Sequence, residues 1–213
     1  NGQVSVSVQG QTATNIVKNG NFANGTTGWA CWNSSNLITD NTLINTASNL
    51  ENRGELWSTN FPWKENHKYF VKAKVRVTND VCSTIRIRSY PNTQAITISN
   101  PAQNQWYESS GIITYPVNSA DDTRLVIDHS YADATTANGK VMEVQEVMVI
   151  DLTAHGLDSL TVEQCNARFP SWFDGTKSTN SVRIKSVGKN LFDGELELGL
   201  YNSITGIKTA NTN

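Results

Sequence analysis

The chain has 213 residues, of which 17% are charged, a formal net charge of -2 at pH 7 and a pI near 5.9. That balance excludes a general attraction to a nucleic-acid backbone. No apolar run approaches the ~20 residues of a spanning helix, so membrane insertion is not expected either.

Asn, Thr and Ser are abundant. Their side chains compete for backbone hydrogen bonds, which favours strands and polar turns over long helices. Cys31, Cys82 and Cys165 are far apart and form no C-x-x-C pair, so neither a disulfide framework nor a zinc site is expected. They read as small buried or half-buried thiols.

Residues 1–13 are polar and strand-like. They read as the end of a preceding segment or a linker, within a piece of a longer polypeptide. From residue 14 to residue 152 strand signals recur about every ten residues. In HKYFVKAKVRVT, Tyr69, Val71, Ala73, Val75 and Val77 alternate with Phe70, Lys72, Lys74 and Arg76, which gives one apolar and one basic face. In VCSTIRIRSY, Ile85 and Ile87 alternate with Arg86, Arg88 and Tyr90, and the Asn79-Asp80 link between the two runs is short enough for a hairpin. Alternating runs follow at TQAITIS, QWYESSGIITY, DTRLVIDHSY and KVMEVQEVMVID. The expected fold is all-β, an antiparallel β-sandwich of the jelly-roll kind over residues 14–152.

The texture changes at residue 153. Thr161 and Gln164 form a capping-box pattern for a short helix, with Leu160 placed to staple against Cys165, and Pro170 ends it. Residues 153–180, including the FPSWFDG turn, read as a helical connector, and 181–213 as the start of a further β module. The sandwich is expected to fold without residues 153–213.

Two stretches carry a family resemblance. NIVKNGNFANGTTGW, with Asn15, Ile16, Asn19, Gly20, Phe22, Gly25, Gly28 and Trp29, resembles the opening of the family 4, 9 and 22 carbohydrate-binding modules and their phage-tail relatives. Residues Met148 to Phe192 contain VMVIDLTAHGLDSLTVEQ, FPSWFDG and SVGKNLF. They resemble text of tail and receptor-binding proteins of bacteriophages infecting Gram-positive bacteria. The resemblance implies a non-catalytic host-adhesion module of the virion, commonly trimeric, contacting other tail proteins and binding host cell-wall polysaccharide or teichoic acid. The alternative is a structural spacer or assembly domain without sugar binding. It also implies a structural calcium near Asn19, Gly20 and Asp151, although Ala23 stands where relatives carry a ligating Glu; no other cofactor is expected.

A saccharide platform needs aromatic rings beside hydrogen-bonding groups, because sugar rings present apolar faces ringed by hydroxyls. Lys72, Lys74, Arg76, Arg86, Arg88 and Tyr90 are the expected surface, on the outer side of two adjacent strands and suited to an anionic polymer. Trp57 and Trp63, flanking an NFP turn, are the expected exposed aromatic pair. Solvent-facing strands also carry Lys and Arg simply for solubility. His67, His129 and His155 are isolated, and the adjacent Asp121 and Asp122, which with Asp128 could suggest a carboxylate pair, read as turn formers and solvated charge, so no catalysis is expected.

Overall fold

In the computed structural model, residues 3–91, 95–117 and 122–187 are described. The strands in chain order are β1 (Gln3–Thr14), β2 (Trp29–Trp32), β3 (Ser34–Thr39), β4 (Thr42–Ala47), β5 (Arg53–Ser58) and β6 (Lys68–Val77). They continue with β7 (Thr84–Tyr90), β8 (Ala95–Ser99), β9 (Tyr107–Thr114) and β10 (Arg124–Ser130). Helix α1 (Ala134–Ala137), β11 (Val141–Asp151), α2 (Val162–Arg168) and β12 (Thr176–Val187) complete the order.

Two five-stranded antiparallel sheets form a sandwich, one ordered β2, β5, β10, β7, β8 and the other β3, β4, β11, β6, β9; β1 pairs with β12. The alternation of apolar side chains therefore marks the strands correctly. The chain divides into a unit of residues 10–180 and a unit of residues 1–9 with 181–213. Residues 188–213, most of the expected further β module, lie outside the described residues.

The core between the sheets gathers Leu56, Ile85, Ile87, Leu125 and Ile127 from one sheet and Leu43, Val71, Val75, Val144 and Val149 from the other. The expected β6–β7 hairpin does not form: β6 pairs with β9 and β11, while β7 pairs with β8 and β10. Asn79 explains the crossing. Its Oδ1 accepts from Val81 N (3.3 Å) in a local turn, and its Nδ2 donates to Tyr131 Oη (3.2 Å). A buried side chain thus carries the chain from one sheet to the other.

A bulge in β11 shifts the register between Gln145, opposite Lys74, and Met148, opposite Lys72. Before the bulge Met142 and Val144 face the inter-sheet core; after it Val147 and Val149 do. Met148 and Ile150 are turned to the opposite face. There, with Phe70, Leu152, Leu157, Cys165 and Phe169, they build a second buried cluster beneath α2. Helix α2 has the expected capping box between Thr161 and Gln164. The aromatic turn after it is bonded to the sandwich: Trp172 Nε1 donates to Val147 O (3.1 Å) and Phe173 O accepts from Asn15 Nδ2 (2.9 Å).

Residues 153–177 therefore cover one sheet. Removing residues 153–213 leaves Phe70, Met148, Ile150 and Leu152 in water, where each fully buried apolar side chain is worth about 1.5–3 kcal/mol. The 1–152 fragment is expected to melt far below the full chain; equal melting temperatures by circular dichroism would show the second cluster to be dispensable.

Between the sheets lies a polar chain. Asn79 Nδ2 donates to Tyr131 Oη, whose hydroxyl meets His129 Nδ1 at 2.7 Å, and His129 Nε2 meets Asn45 Oδ1 at 2.8 Å. Asn45 Nδ2 donates in turn to Ser34 Oγ and Asn36 Oδ1. Asn45 Oδ1 can only accept, so His129 carries its proton on Nε2 and accepts from Tyr131 on Nδ1. Gly54 is required beside it, since a Cβ there would lie 2.6 Å from His129 Nε2.

Burial lowers the His129 pKa to about 3. Between about 6.5 and 3 the unfolded chain binds a proton that the folded chain refuses, so this group's stability contribution is full above that window and is lost as pH falls through it. Urea midpoints are expected to drop from pH 7 to pH 4.5, and His129→Gln should flatten that drop; an unchanged slope in the variant would place the acid sensitivity elsewhere.

Candidate functional site

The outward face of the sheet built from β2, β5, β10, β7 and β8 carries the candidate site. Register lines up its side chains in rows: Trp32, Glu55, Asp128, Arg86 and Thr97 in one, and Ala30, Trp57, Val126, Arg88 and Ala95 in the next. Arg124 and Tyr90 are paired in a third. Strand alternation points each row outward because its members are spaced by two along their strands.

A cleft of about 360 Å³ opens on this face, with Trp32 and Tyr90 among its walls and Arg53, Arg86, Arg88 and Arg124 around it. Arg124 stacks on two rings, its guanidinium carbon 4.7 Å from the Trp57 centroid and 5.0 Å from that of Tyr90. Arg53 lies 5.4 Å over Trp32. These guanidiniums are attracted by the ring faces and hold the rings in place.

Asp128 organises the floor. Its side chain is fully buried, and its two oxygens accept from Arg86 Nε and Arg88 Nε, each at 2.8 Å. Arg88 also donates from a terminal nitrogen to Glu55 Oε1 (2.7 Å), which lies 2.8 Å from Arg53 Nε. Asp122 binds Arg124 through Nε (2.8 Å) and a terminal nitrogen, and that hydrogen bonding raises the guanidinium's pKa further. Four arginines thus face three carboxylates. Asp128 is fully buried and the Glu55 side chain only 9% exposed, so guanidinium nitrogen and aromatic carbon make up much of the cleft wall, which can bind acceptor oxygens and stack on a ring.

Of the residues expected from sequence, Arg86, Arg88 and Tyr90 share this face, and Trp57 joins them beneath Arg124. Trp32, Arg53, Glu55, Arg124 and Asp128 were missed. The alternations Arg53, Glu55, Trp57 and Arg124, Val126, Asp128 signal outward positions, but only the sheet order brings them beside β7. Asp128 is an interior anchor.

Lys72, Lys74 and Arg76 do not belong to the face, because β6 lies in the other sheet. Lys72 is buried, donating to Pro170 O (3.1 Å) and lying 3.4 Å from Glu108. Lys74 pairs with Glu146 at 2.8 Å, and Arg76 with Glu143 while stacking 4.7 Å over Trp106. Trp63 is not exposed: it is buried against Tyr69 and Tyr115 and donates from Nε1 to Arg124 O at 2.9 Å.

The three residues named for calcium already have hydrogen-bond partners. The Asn19 carbonyl accepts from Phe22 N and Trp29 Nε1, and the Gly20 carbonyl accepts from Val147 N at 2.8 Å. Asp151 engages His67 Nδ1 at 2.9 Å and caps Ala154 N at 2.9 Å. The pairing sets Gly20 against Val147, four residues upstream of Asp151 on the same strand. These oxygens are engaged by protein donors, and calcium takes six to eight oxygens.

A model of the carbohydrate binding domain family of the 4 and 9 type matches residues 14–134, and the chain belongs to that family. No curated protein matches the sequence. Among solved structures, an arabinose-bound α-L-arabinofuranosidase is similar in fold, at 10% identity and a TM-score of 0.51 over 64% of this chain and 26% of that one. A family 4 carbohydrate-binding module structure shares 14% identity at a TM-score of 0.45, over 60% and 97% of the two chains. The enzymatically active domain of tailspike protein 4 of bacteriophage CBA120 shares 10% at 0.44, over 63% and 21%.

Removing the buried acceptor strands two guanidiniums over an apolar layer. Asp128→Ala is expected to cost about 3–5 kcal/mol of stability, the scale for breaking a buried pair by deleting one partner. Arg86→Ala, whose side chain is 32% exposed, should cost much less. Chemical denaturation of both variants checks the order, and equal losses would contradict the role of Asp128 as the shared anchor.

Proposed function

We propose that this chain is a non-catalytic host-adhesion module of a bacteriophage tail protein. In this reading the arginine and aromatic face of the β2, β5, β10, β7, β8 sheet binds an acidic cell-wall saccharide or teichoic acid. The observation that carries the ligand class is the array around Asp128. Four arginines and three aromatic rings share one face, so sugar rings pack against Trp32 and Tyr90, the rings that line the cleft, while carboxylates or phosphates meet guanidinium nitrogens, with Trp57 supporting Arg124 from beneath. Membership of a carbohydrate-binding family supports saccharide as the ligand. The phage-tail reading is supported by the motifs from Met148 to Phe192. A module of this kind binds weakly alone, and several copies, as in a trimeric tail protein, multiply its grip.

The test is titration of the full chain with wall teichoic acid, polygalacturonate and a neutral β-glucan, beside Trp57→Ala and Arg86→Ala. The anionic polymers are expected to bind with an affinity that falls as salt rises, and each variant to weaken binding about ten-fold, which corresponds to ~1.4 kcal/mol. Equal, salt-independent binding of the neutral glucan would overturn the acidic ligand. No binding to any polymer, with melting temperatures intact, would favour an assembly domain instead.

A further inference from the structure

We propose that the chain has a second saccharide subsite, for an uncharged pyranose ring, on the other sheet. A cavity of about 340 Å³ lies among the β3–β4 turn, the β11 bulge and the aromatic turn after α2, within the ~300–1,000 Å³ typical of small-molecule sites. It shares no residue with the arginine cleft. Its walls are Asn21, Asp40, Asn41, Gln145, Glu146 and Trp172. Five carboxylate or carboxamide side chains converge beside one indole, with no cation among the six. That composition suits hydroxyl groups, which donate to carboxylates and exchange donor and acceptor roles with amides, around an apolar ring face resting on the indole.

The backbone is arranged to present these groups. Asp40 and Asn41 both take positive φ, 48° and 57°, in the two-residue turn closing β3 on β4. Glu146, with φ 53°, holds the left-handed region inside the bulge, a conformation that costs a non-glycine residue free energy and recurs where a strand re-aims a side chain at a ligand. Trp172 is fixed by its Nε1 bond to Val147 O at 3.1 Å, Gln145 by donation to Thr42 Oγ1 at 2.7 Å, and Glu146 by Lys74 at 2.8 Å. The pocket is thus largely formed before any ligand arrives, and little ordering opposes binding.

Glycine at positions 40 and 146 removes a ligand group yet suits the positive φ, so the variants keep the fold. The experiment follows the Trp172 indole N–H resonance of the 15N-labelled full chain during titration with glucose, galactose and N-acetylglucosamine separately. A saturable shift with at least one sugar is expected, weakened about ten-fold or more in Asp40→Gly and Glu146→Gly and unchanged in Arg86→Ala. Absence of a saturable shift with all three sugars overturns the proposal, as does a shift that both glycine variants leave intact. Teichoic acid binding by Glu146→Gly, measured alongside, reports on the arginine cleft separately, so failure of one site is not mistaken for failure of the other.

Discussion

Strand β11 carries one residue more than its neighbour β6 can pair, and the side chains must be divided between two faces on either side of that surplus. Up to Val144 the even positions enter the inter-sheet core; beyond the bulge the odd positions do. Because a side chain's face is set by parity, the single extra residue frees Met148 and Ile150 for a second apolar layer without removing Val147 and Val149 from the first. The segment carrying α2 covers an apolar layer that this inversion enlarges. Gly20 is bound to the same place: a Cβ there would lie 2.1 Å from Val147 O.

The two faces of the sandwich illustrate opposite ways of handling charge. On the β6 side the basic residues are matched singly, with Lys74 and Arg76 each ion-paired to a glutamate of β11. Such partly exposed pairs add little free energy and discourage stray association. On the β7 side the carboxylate lies beneath the surface and two arginines share it. Burying Asp128 while leaving guanidinium edges at the rim makes the surface there locally cationic. Net charge alone, at -2, hides that separation.

Much of this was legible in the sequence. Period-two alternation located the strands, and Thr161 with Gln164 marked the helix start, because both signals are local. The face carried by Arg86, Arg88 and Tyr90 was legible for the same reason. Its extent was not. Two runs of equal basic alternation, separated by six residues, look like a hairpin until Asn79 is seen bonded to Tyr131, fifty-two positions away. Trp63 misled in a similar way: its proline-flanked turn suggests exposure, while its indole nitrogen finds a carbonyl inside the sandwich. Sheet order is a property of long-range pairing, and no local pattern in a single chain encodes it.

Asn15 N and Gly175 O are joined by a 2.8 Å hydrogen bond, and Asn15 Nδ2 reaches Phe173 O across 158 positions of sequence. In a flexible chain, drawing together points that far apart costs about 4–5 kcal/mol in lost configurational freedom. Once the sandwich has closed, that cost has already been met within it, with Asn15 and Gly175 held side by side. The pairing of β1 with β12 then requires no further closure of the chain between them.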